Sequence, residues 1–185
     1  MGGHRPCAVS PLNLGFLRYG QKLGRVQGVG YVNELLARLT GQPVQDETQT
    51  NHTLDESPIT FPLDRSFYAD FSHDNQMISI YSALGLFVQP HELTPTRLAK
   101  KRTWKDSQMV PFSGRMITEK LECRGRGKRG GEYVRVLVND AIQPLAFCGA
   151  QGDGLCTLAN FVESQDYARN NGEGDWALCF AGKDV

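Results

Sequence analysis

The chain has 185 residues, a length that fits one domain and can bury a real core. Twenty Lys and Arg balance twenty Asp and Glu, so formal net charge is zero and no global field argues for a nucleic-acid or membrane partner. No apolar run is long enough to span a bilayer, and five cysteines without a CxxC pair argue against a zinc centre.

Residues 1–19 show no clear period. Pro11 and Asn13 interrupt the mildly apolar stretch there, so it is not read as a secretory signal. From Val29 the apolar residues Val29, Val32, Leu35, Leu36 and Leu39 recur at helical spacing, and Gly41 is the expected stop. Residues 42–64 are polar and turn-rich, which predicts a loop. Inside it Asn51-His52-Thr53 is a sequon, compatible with a glycan on Asn51. Acidic residues dominate from Gln45 to Asp74 (Asp46, Glu47, Asp55, Glu56, Asp64, Asp70, Asp74 against Arg65), and basic ones from Arg97 to Arg135. Both runs are expected to be solvated surface.

Phe67–Ser72 reads as a short buried strand. Asp74 is placed to cap the helix that follows, Asn75–Phe87, whose apolar face is Met77, Ile78, Tyr81, Leu84 and Leu86. Gly114–Cys123 and Glu132–Val138 carry strand residues, with the flexible loop Arg124–Gly131 between them. Asn139-Asp140 makes a second turn before a short Ile142–Leu145 strand, and Thr157 caps a helix to about Ala168. Cys148 and Cys156 are close enough to close a small loop, since Gly149, Gly152 and Gly154 free the backbone to turn. That arrangement fits an oxidising compartment. No repeat or internal domain boundary shows. The pattern predicts an α/β fold, a mixed sheet with flanking helices.

The stretch "YADFSHDNQMISIYSALGLF", Tyr68–Phe87, places His73 and Asp74 where a strand gives way to a helix. A helix N-terminus presents free N–H groups and the positive end of its dipole, where anions settle. A His there can hold a phosphate oxygen. An Asp there can carry a proton and pass it to a leaving group. The plainer alternative is that Asp74 is only a cap and His73 only a polar strand end.

That stretch resembles the His-Asp motif of the fungal phytases, within the histidine acid phosphatase family. "LGRVQGVGYVNELLARLTGQPV", "NHTLDESPITFPL", "MVPFSGRM", "VRVLVNDAIQPL" and "GDWALCFA" resemble the same proteins in the same order, from about Gly20 to Ala181. The resemblance implies part of a histidine phosphatase fold over 20–185, preceded by an atypical segment at 1–19. It implies a secreted enzyme that hydrolyses phosphate monoesters such as phytate, without metal or organic cofactor. By resemblance His73 binds the phosphoryl group, Asp74 donates a proton to the departing alcohol, and Asn75 faces the substrate. It pairs Cys148 with Cys156, and leaves Cys123 and Cys179 without partners unless they meet each other or Cys7.

The family's nucleophile lies in an Arg-His-Gly-x-Arg-x-Pro motif, which this sequence lacks. "GHRPC", Gly3–Cys7, echoes it only faintly: no Arg precedes His4, and Arg5 and Pro6 come too soon. The chain is therefore expected to correspond to a C-terminal portion and to be inactive alone. The rival expectation is a non-catalytic fragment that binds anions or a partner. "RGRGKRGG" is read as a hairpin loop rather than an RNA-binding segment, and "RLAKKRTWK" as a solvated loop rather than a nuclear signal. "GQKLGRVQGVG" lacks the spacing of a phosphate-binding loop.

Overall fold

The structure is a computed structural model, described for residues 22–89, 93, 99–124 and 130–180. The expectations for residues 1–19, including His4 and Cys7, lie outside the described residues, as do most of the Arg124–Gly131 loop and part of the basic stretch at 97–105. The chain forms two compact units, Met1–Trp104 with Tyr167–Val185, and Lys105–Asp166.

The first unit is helical. It contains α1 (Lys22–Val26), α2 (Val29–Thr40), α3 (His52–Asp55), α4 (Asp74–Leu84) and a 3-10 stretch at Asn171–Cys179. The predicted apolar stripe of α2 is buried as expected, and Gly41 ends the helix in the left-handed region at φ 70°. α4 packs against α1 and α2. It stops at Leu84, short of the expected Phe87, because Gly85 turns left-handed at φ 77°.

The buried face of α4 is also not the expected one. Tyr81 and Leu84 are buried, but so are Ser79, Ser82 and Ala83, while Met77 and Ile78 are only half-buried. Gly28 explains this. A Cβ there would lie 2.4 Å from the Ser79 carbonyl oxygen and 2.8 Å from the Ala83 Cβ. The backbone entering α2 thus rests directly on the small residues of α4, and the close approach selects them.

Asp46 ties this unit together. It is 2 % exposed and accepts from Asn33 Nδ2 on α2, Thr48 Oγ1, and the backbone N–H groups of Thr48, Gln49 and Thr50. Asn33 also donates to the Ala168 carbonyl. The acidic run is therefore not uniformly solvated, because Asp46 and Asp55 are both buried.

The expected buried strand at Phe67–Ser72 is corrected. Among the described residues nothing pairs with it, and Phe67 and Phe71 are 81 % and 99 % exposed. A strand without a neighbour leaves its backbone groups to water and its outer face bare.

The second unit is built on a sheet. β1 (Met116–Cys123) and β2 (Gly131–Val138) form the predicted hairpin, antiparallel with Glu119 opposite Arg135. β3 (Ala141–Ile142) and β4 (Cys156–Thr157) also pair antiparallel with β2. Val134, Val136 and Val138 alternate into the core, the period of two that a half-buried strand requires. Asn139 and Asp140 turn the chain with φ 49° and 66°, the signature of a tight hairpin turn. β3 ends at Ile142, short of the expected Leu145, because Pro144 has no N–H to extend a ladder.

A 3-10 turn, Ala146–Cys148, is joined to β4 by the Cys148–Cys156 disulfide. Thr157 caps α5 (Leu158–Ser164) by accepting from Asn160 N–H, as the sequence predicts. The helix breaks at Gln165 rather than running on to Ala168. The architecture is α/β with an antiparallel sheet and flanking helices.

Candidate active site

Three elements of the first unit place the His73–Asp74 junction. The extended segment Phe67–Ser72 leads into it, α4 starts at it, and α2 lies beneath α4. His73, not Asp74, is the N-cap of α4, with φ −121° and ψ 161°, and its ring makes no capping bond. Asp74 is the first helical residue, which corrects the expectation that it caps. The first-turn donors are met by their own neighbours. Asn75 N–H donates to Asp74 Oδ1 at 2.8 Å, Gln76 N–H to Asn75 Oδ1 at 2.9 Å, and Met77 N–H to the His73 carbonyl. The Ser72 hydroxyl donates to Gln76 Oε1.

Asp74 thus serves the helix start through Oδ1 from the first helical position rather than from the N-cap. His73, Asp74 and Asn75 are all exposed. Among the described residues no hydrogen bond or ion pair reaches the His73 ring or Asp74 Oδ2. The junction offers an imidazole, a carboxylate oxygen and an amide side by side at the positive end of an 11-residue helix. Such a set can bind an oxyanion and pass a proton to an adjacent oxygen.

The segment leading in is anchored by residues that the sequence did not single out. Arg38 on α2 donates from Nη1 to Asp70 Oδ2 at 2.5 Å and from Nη2 to Asp70 Oδ1 at 3.1 Å. The Phe61 and Tyr68 rings lie 4.9 and 5.1 Å from its guanidinium carbon. Tyr31 donates its hydroxyl to Asp70 Oδ2 at 3.5 Å. Burial, then the Asp70 charge, pushes the Tyr31 pKa up to about 12. Burial disfavours the Arg38 charge, yet the bond and charge of Asp70, with Glu34 and Tyr31, outweigh it and raise its pKa. Burial raises the Glu34 carboxyl. A signal was present: Tyr31, Glu34 and Arg38 recur at helical spacing on an otherwise apolar helix. Asp70 was hidden in an acidic run read as solvent-facing.

The remaining expected sites are placed as follows. Asn51 is exposed and N-caps α3, its Oδ1 accepting from Thr53 N–H, which leaves its Nδ2 pointing away from that bond. Cys123 is the free cysteine among the described residues and is half-buried. Cys179 is disulfide-bonded, and since Cys123 is free the two do not pair with each other. Among the described residues no group of three or more His, Cys, Asp or Glu could hold a metal ion, and no helix is long and apolar enough to cross a membrane.

Residues 9–139 match the family model described as histidine phosphatase superfamily (branch 2). The chain is 47 % identical over 164 residues to Phytase A of Emericella nidulans, covering 87 % of this chain and 34 % of that protein. It is 46 % identical over 165 residues to Phytase A of Aspergillus awamori, covering 88 % and 34 %. Against Phytase A of Arthroderma benhamiae the figures are 45 % over 163 residues, 86 % and 35 %. The chain thus spans about a third of the length of these relatives.

Proposed function

The chain belongs to branch 2 of the histidine phosphatase superfamily, and from that premise we propose that it carries the phosphate-binding and proton-donating half of a phytase-like phosphomonoesterase site. The observation that supports this reading is the exposed pair His73–Asp74 at the start of α4, with the His73 ring and Asp74 Oδ2 unbonded among the described residues. The His73 imidazole binds a phosphoryl oxygen, aided by the helix N-terminus. Asp74, protonated, gives its proton to the ester oxygen as the P–O bond breaks, so an alcohol leaves instead of an alkoxide. Asn75 contacts the substrate beside them. The substrate class is a phosphate monoester such as phytate. The name of the relatives, Phytase A, supports that class.

The family reaction passes through a phosphohistidine, and the Arg-His-Gly-x-Arg-x-Pro nucleophile motif is not in this sequence. An acid without a nucleophile has no covalent route, so the 185 residues by themselves bind phosphate and do not turn over. Asn51 carries an N-glycan and the protein is secreted, a setting that suits the Cys148–Cys156 bridge.

In a polypeptide that also carries the nucleophile motif, Asp74→Asn is expected to slow hydrolysis of alkyl phosphates about 100-fold or more while sparing activated aryl phosphates. Equal slowing of both ester classes would argue against the acid role. If inorganic phosphate leaves the His73 ring resonances of the 185-residue chain unmoved, the phosphate-binding role of His73 is overturned.

A further inference from the structure

Resting on the reading of His73 and Asp74 just given, we propose that Arg38 and Asp70 are positioning residues for that pair, a clamp that fixes the chain entering the site against α2. Among the described residues the segment 67–72 has no strand beside it, so no ladder of backbone bonds from them holds it. Its odd-numbered Phe67 and Phe71 are bare, while Tyr68 and Asp70 meet Arg38. The fork of two bonds from Arg38 to Asp70 is the strongest tie this segment makes to the helices.

The tie is not an ordinary surface ion pair. The Arg38 side chain is 13 % exposed and that of Asp70 39 %. Two parallel N–H···O bonds fix orientation as well as distance. The flanking Phe61 and Tyr68 rings hold the guanidinium in place. Tyr31 adds a third donor to the same carboxylate. One N–H of each terminal nitrogen is committed to Asp70, and the Arg38 Nε is buried without a partner.

The geometry makes the consequence local. Asp70 and His73 are separated by three peptide units, at most ~10 Å of extended chain. On the far side of His73, α4 packs on α2. The junction is therefore held at both ends by the same helix. Releasing Asp70 frees one end, and the His73 ring and the Asp74 carboxylate lose their shared alignment.

The test uses the 185-residue chain labelled at its histidines. Inorganic phosphate is titrated while the His73 ring resonances are followed, with His73→Asn providing the assignment. Amide hydrogen exchange is measured over 70–77 in the same samples. Arg38→Lys keeps the charge and loses the fork, and Asp70→Asn keeps the shape and loses the charge. Each is expected to weaken phosphate binding at His73 about tenfold and to speed exchange at 74–77 by a similar factor, the scale of one charge-assisted hydrogen bond.

Tyr167→Phe is the control for general loss of stability, because it removes only the hydroxyl that donates to Asp175. It should leave both readouts unchanged. Unchanged exchange at 74–77 in Arg38→Lys and Asp70→Asn overturns the clamp. So does phosphate affinity that falls equally in Tyr167→Phe. If phosphate never perturbs His73 in the unaltered chain, the phosphate-site reading fails separately, and the exchange data alone decide the clamp.

Discussion

Asp46 is 2 % exposed and remains a carboxylate because Asn33, Thr48, Gln49 and Thr50 all donate to it. Burial pushes its pKa up, but the bonds from Thr50, Asn33 and Thr48 more than offset this and hold it below the ordinary value. A depressed folded pKa contributes stability that is complete above the unfolded value, about 3.9, and is lost as pH falls through the folded one. Asp46→Asn is therefore expected to cost about 1.5–3 kcal/mol near neutral pH, by urea unfolding, with the cost shrinking at pH below about 4. A cost independent of pH would mean the residue acts by shape alone. Glu34 has the opposite sign. Burial raises its carboxyl, opposed by Arg38. Its stabilising contribution is present below the unfolded value, about 4.3, and is lost as pH rises through the folded one. Glu34→Gln should accordingly raise stability near neutral pH in the same unfolding series.

At the scale of elements, periodicity was legible wherever a segment buries one face against its own neighbours. The α2 stripe, the β1–β2 hairpin, the Asn139-Asp140 turn and the Thr157 cap all appear as their residues predict. Two features were not legible because they depend on partners remote in sequence. The small-residue face of α4 exists because Gly28 lies on it. The segment 67–72 has strand composition but, among the described residues, no neighbour to pair with. His73 and Asp74 stand out in sequence as candidates at the head of a helix, while the Arg38–Asp70 tie across 32 residues does not. The Gly28 contact gives a direct test. Gly28→Ala places a methyl 2.4 Å from the Ser79 carbonyl oxygen, where backbone must move. Overpacking of this kind costs roughly 1–3 kcal/mol. Thermal unfolding should show that loss, and Ser79→Gly should not recover it, since the clash is with backbone. Full stability in Gly28→Ala would mean α4 can shift away from α2.

Over the whole molecule, burial and function are separated. The first unit concentrates its core in Val26, Val29, Val32, Tyr81 and Leu84, and the second in Val134, Val136 and Phe161, each at 2 % exposure or less. The large exposed apolar side chains of the first unit include Ile59, Phe67 and Phe71, on the loop that leads to the candidate site. In the free chain these rings contact little but water, so they contribute little to folding. Leu84→Ala should cost about 2–5 kcal/mol, because a buried aliphatic side chain is removed and a cavity remains. Phe71→Ser should stay within about 0.5 kcal/mol of the unaltered chain, as exposed substitutions do. Urea unfolding of both variants at one pH gives the comparison. A large loss from Phe71→Ser would show that segment 67–72 is packed in solution. Near-equal stability, with hydrogen exchange at 67–69 close to that of unprotected amides, would place the resistance to unfolding in the helices and the sheet. Among the described residues, the restraint on the entrance to His73 would then be the contact of Asp70 and Tyr68 with Arg38 on α2.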